Sequence, residues 1–342
     1  MTNANEQLGD LTIERALIVS RYGSGLGRDV VKLLREAQAD IIRRLPEASG
    51  AITKARLAKQ LREINELIGE AYGAISTKML DELTQLGEIE AQWQIDSINN
   101  VATIEIMRAM PSPDVLAKLA SDTLVAGSTI GDWLAKQEQD YAFQISRAVR
   151  AGLAQSETSQ QIADRVRDAS GVAQRHAFAL SRTATQAIAI EARNETLKAN
   201  DDVVKGKMSL AVLDGRTTIL CATYDKAAYN LENEPIDGNK LPYLEIPRHF
   251  SCRSFFQPIL KRWDEMGLPF DEFKPSTRAS LDGQIPAGTT FDQFLDGKPA
   301  EWQDKYLGKG RAKLYREGKI TLADMVDGVG RELTISELKS ID

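Results

Sequence analysis

The chemistry in this chain is concentrated in two short boxes. The first reads Asp214-Gly215-Arg216-Thr217-Thr218-Ile219-Leu220-Cys221, and the second Pro247-Arg248-His249-Phe250-Ser251-Cys252-Arg253-Ser254. Together they hold both cysteines of the chain and one of its two histidines. Cys221, His249 and Cys252 offer two soft thiolates and an imidazole, a donor set that zinc accepts. The His-x-x-Cys spacing puts two of these donors on one tight turn. A fourth ligand would come from Asp214, another carboxylate or water. An open fourth position suits a catalytic zinc only with a general base beside it, and the boxes offer none. The same residues also read as two buried small thiols with His249 bonded to a backbone carbonyl, or as a disulfide in an oxidising setting. Asp214 can pair with Arg216 or Arg253, because a guanidinium fork matches a carboxylate. Such a pair would brace a loop-rich segment that has few ladder hydrogen bonds of its own.

Other templates are missing or weak. There is no P-loop and no Gly-x-Ser-x-Gly elbow, and two histidines leave few members for a Ser-His-Asp triad. No catalytic residue is assigned. Gly23-Ser24-Gly25-Leu26-Gly27 precedes a helical pattern with no strand before it, so it reads as a flexible hinge ahead of the helix at Asp29. His176 reads as a solvated side chain at the polar start of a helix. Arg165, Arg167, Arg175, Arg182 and Arg193 are strung along two helical patterns and could follow a phosphate backbone. Asp164, Asp168, Glu191 and Glu195 are interleaved with them, which favours ordinary helix surface, and no residue is assigned to DNA.

The elements that must position the boxes can be read from periodicity. Val30, Val31, Leu33, Leu34, Ala37, Ile41, Ile42 and Leu45 recur at helical steps, and Pro46 with Ser49-Gly50 should end that helix. Leu57 to Ile68 continues the helical texture. Ile75 to Met107 reads as one long helix, or two with a bend at Gly87. Ser112-Pro113-Asp114 marks another helix start. Trp133, Ile145 and Val149 begin the next stretch, Thr158 to Gln161 resembles a capping box, and Gln174 to Leu197 is a long amphipathic run. The texture then changes. Met208, Leu210, Val212 and Leu213 suggest one strand, and Phe255, Phe256, Ile259 and Leu260 another, with a proline- and glycine-broken stretch between them. After Pro269 comes punctuated coil, then short helices starting near Thr290 and Thr334. Glycines 297, 308, 318 and 328 should break them. The expected fold is α+β and mainly helical. An all-α part over 1–130 precedes an α+β core with a small sheet over 131–260 and an extension of short helices over 261–342.

Length and charge narrow the classes. The chain has 342 residues with 43 basic and 49 acidic side chains, a net of −6. Two cysteines and two histidines exclude a His-rich metalloenzyme and a multi-zinc protein, and the balance excludes a protein that coats nucleic acid by bulk charge. Residues 1–135 hold 14 basic against 19 acidic groups, a net of −5, while 136–260 hold 16 against 15, a net of +1. The acidity therefore belongs to the helical first part, as a solvated surface or a face for a basic partner. Met1 to Asp10 is polar without the apolar core of a signal peptide, and no run approaches the roughly 18 apolar residues of a membrane helix. The expectation is folding in a reducing cytosol, away from membrane.

The two boxes, as DGRTTILC and PRHFSCRS, resemble those of the phage Mu F-like (MuF) head morphogenesis, or minor head protein, family. Members carry Asp-x-Arg-Thr before a cysteine, a connector, then Pro-x-His-x-x-Cys-Arg. Upstream, Ala179-Leu180-Ser181-Arg182-Thr183 with Ala187, Ala192, Arg193 and Asn194 is similar to the family's preceding helices. Downstream, 291–295, 299–307 and 307–319 look like its C-terminal helices. The likeness spans roughly 130–335. It departs where many members have Asp-Gly after the first cysteine, since this chain reads Asp225-Lys226.

The resemblance implies a minor head (capsid) protein of a tailed phage, inside the virion head at the portal vertex. It would be made in the host cytoplasm and would assist assembly and DNA packaging or ejection. Implied partners are the portal protein, other head proteins and packaged DNA, with residues 1–130 as the docking part. Asp214, Arg216, Thr217, Pro247 and Arg253 would be the structural motif, and zinc at Cys221, His249 and Cys252 a candidate cofactor. MuF-type domains also occur joined to enzyme domains. Here the sequence beyond the match leaves too little chain for a further domain of about 100 residues, so the expectation is not an enzyme. A MuF-linked enzyme, a zinc-binding module and a nonspecific DNA-binding virion protein are the alternatives.

Overall fold

The computed structural model describes residues 2–45, 54–262, 265–266 and 277–340. Five helices come first: α1 (Thr2–Arg43), α2 (Lys54–Ala102), α3 (Pro113–Asp122), α4 (Ile130–Ala154) and α5 (Ser159–Lys198). The Leu57–Ile68 and Ile75–Met107 patterns merge into the single α2, which runs through Gly87 without a break. The capping box at Thr158 is present, with Thr158 N donating to Gln161 Oε1 at 2.8 Å, and α5 continues from it for 40 residues. A box not read from the sequence, Thr129 with Asp132, starts α4. The expected helix end at Pro46 and Ser49-Gly50 lies outside the described residues, as does the coil opening at Pro269.

The rest is α+β, as the residue pattern implied. A three-stranded antiparallel sheet has the order β2 (Ala228–Tyr229), β1 (Val204–Leu210), β3 (Phe255–Leu260). Gly206 of β1 carries no side chain because β2 passes directly over it; a Cβ there would lie 2.1 Å from the Tyr229 carbonyl oxygen. The short α6 (Ile219–Thr223) lies between β1 and β2. A hairpin of β4 (Thr277–Ser280) and β5 (Gly283–Pro286) follows, then α7 (Phe291–Asp296), α8 (Ala300–Leu307), α9 (Lys309–Arg316) and α10 (Ile335–Leu338). Capping boxes at Thr290 and Thr334 start α7 and α10. Among the described residues no helix is long and apolar enough to cross a membrane.

Two compact units emerge, and neither is a contiguous stretch of chain. Unit 1 comprises Met1–Ile18, Ile89–Ser112 and Ile190–Asp342; unit 2 comprises Val19–Glu88 and Pro113–Ala189. The residues read as one helical part, 1–130, are thus shared between them, with 1–18 and 89–112 grouped with the sheet.

The cores explain unit 1. Leu8 packs with Ile95, Ile98, Leu197, Val204 and Leu260. Ala16 and Ile190 pack with Cys221, Tyr229, Cys252 and Phe255. Unit 2 is all helical. Its buried side chains include Val30, Leu34 and Ile41 of α1, Ile64, Ile75 and Met79 of α2, Tyr141 of α4 and Val166 of α5. Gly23 and Gly27 are interior to α1 rather than a hinge. A Cβ on Gly27 would lie 2.7 Å from the Phe178 ring, and one on Gly23 3.0 Å from Thr185, so the two glycines let α1 pack closely on α5.

Candidate functional site

The sheet register brings the two boxes together. β1 and β3 run antiparallel with Leu210 opposite Phe255. The first box starts just after Leu210 and the second ends just before Phe255, so both emerge at one end of the same strand pair. Thr218 caps α6, its hydroxyl accepting from Cys221 N at 3.2 Å. Pro247 follows a cis peptide bond. Cys252 N donates to the His249 carbonyl at 3.0 Å, which forms the tight turn that the His-x-x-Cys spacing implied.

Asp214 joins the boxes. Its carboxylate accepts both arms of Arg253, at 2.6 and 2.7 Å, and the backbone N–H of Arg216 at 2.9 Å. The partner is therefore Arg253; the Arg216 side chain is exposed and contributes only its backbone here. Thr217 is buried and its hydroxyl donates to the Val212 carbonyl at 2.5 Å. Burial disfavours the Asp214 anion, yet the Arg253 fork and the Arg216 and Thr217 donors outweigh it and hold the carboxyl below its ordinary pKa. Both oxygens are in the fork, and Asp214 is not among the residues whose donor atoms cluster with the thiols.

Cys221, His249 and Cys252 form one cluster, their donor atoms all within 4.8 Å of one another. Cys221 Sγ lies 3.7 Å from Cys252 Sγ and 3.4 Å from His249 Nε2. Both cysteines are free thiols, 2 % and 3 % exposed. His249 Nδ1 is 3.0 Å from the Phe250 carbonyl; donation there leaves Nε2 directed at the thiols and at the Thr218 hydroxyl, 3.2 Å away. The contact with Cys252 pulls the Cys221 pKa well below the ordinary thiol value against the cost of burial, with His249 and Arg248 adding to the effect. The same contact pushes Cys252 up. The bond to Cys221 raises His249, burial opposing it. A tetrahedral zinc with bonds of about 2.3 Å to sulfur and about 2.0 Å to nitrogen needs donor–donor edges of roughly 3.5–3.8 Å. Two edges, 3.7 and 3.4 Å, come near that frame, while the three atoms together span up to 4.8 Å, so the Cys252–His249 edge would have to close for an ion to be held.

A second constellation was not read from the sequence. Asp225 is buried and forked to Arg278, at 2.6 and 3.0 Å, and also accepts from the backbone of Ala211 and Phe291, each at 2.8 Å. Arg278 further donates to the Thr289 carbonyl. This pair ties the exit of β1, the hairpin and the start of α7. Arg278 lies in a stretch with coil texture, and Asp225 drew notice only as a departure from Asp-Gly. Lys226, next to Asp225, takes φ 67°, a left-handed turn made by a lysine whose Nζ donates to the Ala287 carbonyl at 2.9 Å.

The arginine strip does not survive as read. Arg193 is 3 % exposed and bonds Glu90, which also accepts Arg15 at 2.9 Å. Arg165 pairs with Glu157 and Arg167 with Asp164. Arg175 remains exposed without an ion pair among the described residues. His176 is exposed, as expected, but lies in the interior of α5. No family model, no curated protein and no solved structure matches the chain.

Proposed function

We propose that the chain is a minor head protein of a tailed phage, held inside the head at the portal vertex, where it assists assembly and DNA packaging or delivery. The observation that supports this reading is the convergence of the two family-like boxes: Arg253 of one grips Asp214 of the other beside a cluster built from both. The role is non-catalytic. Both thiols of the cluster are buried, which keeps them from meeting a substrate. The partner-docking part is the all-helical unit 2, not 1–130 as a block, because removing 1–110 would strip Leu8, Arg15 and Ile98 from the cores and ion pairs of unit 1. A reconstruction of intact heads tests the reading. A few copies of this chain at the portal vertex are expected; heads that assemble, package and infect normally without it would overturn it.

The 3.7 and 3.4 Å separations favour a second, compatible reading: Cys221, His249 and Cys252 hold a zinc ion that pins the two boxes, with the fourth position left to water or the Thr218 hydroxyl. Purified protein should then contain about one zinc per chain and lose thermal stability on chelation. A metal-free protein after zinc refill, with an unchanged melting temperature, would remove it.

A further inference from the structure

Unit 2 contains an open groove of about 580 Å³ between α1 and α5, lined by Arg28, Arg35 and Arg175 with Val31, Gln174 and Phe178. Its shape follows from the sequence. Gly23 and Gly27 let the helices approach closely at one end, against Thr185 and Phe178, and Val31 and Gln174 line the groove beyond it. Gln174 Nε2 donates to Gln38 Oε1 at 3.0 Å across the far end. The three arginines are exposed, and none makes an ion pair or hydrogen bond among the described residues. The carboxylates nearby are mostly engaged elsewhere: Asp29 by Lys78, Asp40 by Arg43 and Asp164 by Arg167. Glu36 projects about 100° round α1 from Arg35. Asp168, three residues before Gly171 on α5, makes no ion pair among the described residues, and neither does Glu36. Between Asp168 and Glu191, α5 carries no acidic residue.

We propose that this groove binds the phosphodiester backbone of double-stranded DNA. A guanidinium offers a phosphate two parallel donors, and an arginine without a carboxylate keeps that fork free. The positive groups form a line rather than a point. Arg21, Arg28 and Arg35 follow at seven-residue steps on one stripe of α1, spanning about 21 Å, the axial rise of roughly six base pairs at 3.4 Å each. Arg21 is exposed and likewise without an ion pair among the described residues. A single free anion would use one fork and leave the rest idle. The proposal deepens the head-protein reading by assigning the contact to packaged DNA, and it rests on that reading only for where the DNA is met.

Fluorescence anisotropy on the full chain with a labelled duplex of about 30 base pairs tests it. Binding should weaken linearly with the logarithm of salt, and Arg28→Gln/Arg35→Gln/Arg175→Gln should lower affinity about tenfold or more and reduce the slope by about 3. Asp168→Asn should tighten binding. Arg165→Gln/Arg167→Gln, whose arginines are held by Glu157 and Asp164, should bind as the wild type does. Circular dichroism melts confirm that each variant is folded. Wild-type protein that ignores duplex at low salt, a triple variant that binds undiminished, or a preference for anionic lipid vesicles over DNA would each overturn the groove. Those outcomes leave the portal-vertex test untouched, and absence from the vertex with intact groove binding would sink the head reading alone.

Discussion

The two units treat arginine in opposite ways. In unit 1, Arg193 and Arg278 are nearly inaccessible, each forked to a buried carboxylate, and Arg253 is half-buried on Asp214. In unit 2, Arg28, Arg35 and Arg175 line a groove with no partner among the described residues. A guanidinium taken out of water must find its counter-charge inside the protein, so the buried arginines act on the fold. One left in water keeps its donors for something outside the chain. Net charge hides this contrast completely, and so does arginine spacing along the sequence: Arg175 and Arg193 looked alike as members of one strip.

The contrast breaks most severely at Arg278. Arg278→Ala leaves Asp225 buried with its charge uncompensated and should cost about 3–5 kcal/mol. Urea melts would read it as a large fall in the midpoint. A change below about 1 kcal/mol would mean that the Asp225 pair does not organise the junction of β1, the hairpin and α7.

Lys207 occupies a middle case, a buried cation with no ion pair among the described residues. Its Nζ lies 4.8 Å from the rings of Tyr243 and Phe256. Burial pushes its pKa from 10.5 down to about 8. Because the folded value is the lower one, the folded state disfavours the proton: the penalty is complete below pH 8 and disappears as pH rises toward 10.5. A shift of this size corresponds to about 3 kcal/mol, part of it offset by the two cation–π contacts. Lys207→Met should therefore gain roughly 1–3 kcal/mol at pH 7, and its advantage should shrink between pH 8 and 10.5. An advantage that stays constant over that range would show that Lys207 folds with its proton at no cost.

Lys226 sharpens the comparison from the backbone side. Its φ of 67° costs about 1–2 kcal/mol for an L-residue. Lys226→Gly relieves that strain, loses the bond to Ala287 and adds freedom to the unfolded chain, so its net effect should stay within about 1 kcal/mol. A larger loss would mark the Nζ contact as the reason a lysine stands there.

What could be read from the residues divides along physical lines. Helical periodicity revealed the apolar faces of α1, α2 and α5, and apolar runs pointed to β1 and β3, because both signals are local; β1 spans Val204–Leu210, so it starts earlier than the run from Met208 to Leu213 suggested and ends before Val212. The meeting of Asp214 with Arg253, and of Cys221 with His249 and Cys252, was legible as candidate pairing since unusual residue types sit in short boxes. Arg278 with Asp225, and Arg15 with Glu90 and Arg193, were not. Each joins common residue types across at least 53 positions, and only the packed chain selects which arginine meets which carboxylate. The groove was hidden for the same reason. Gly23 and Gly27 read as a hinge because glycine signals freedom in isolation, whereas against Phe178 and Thr185 it signals close packing.

The smallest effect belongs to the groove arginines, and there a near-zero value is informative. Arg28→Gln and Arg35→Gln remove no ion pair and no hydrogen bond within the described chain, so each should change stability by less than about 0.5 kcal/mol. Thermal melts of the two single variants, set beside Arg278→Ala, measure directly whether exposure without a partner means independence from the fold. Should either cost more than about 1 kcal/mol, its aliphatic stem would be packing in the groove wall. Its position there would then be explained by stability, with no external anion required.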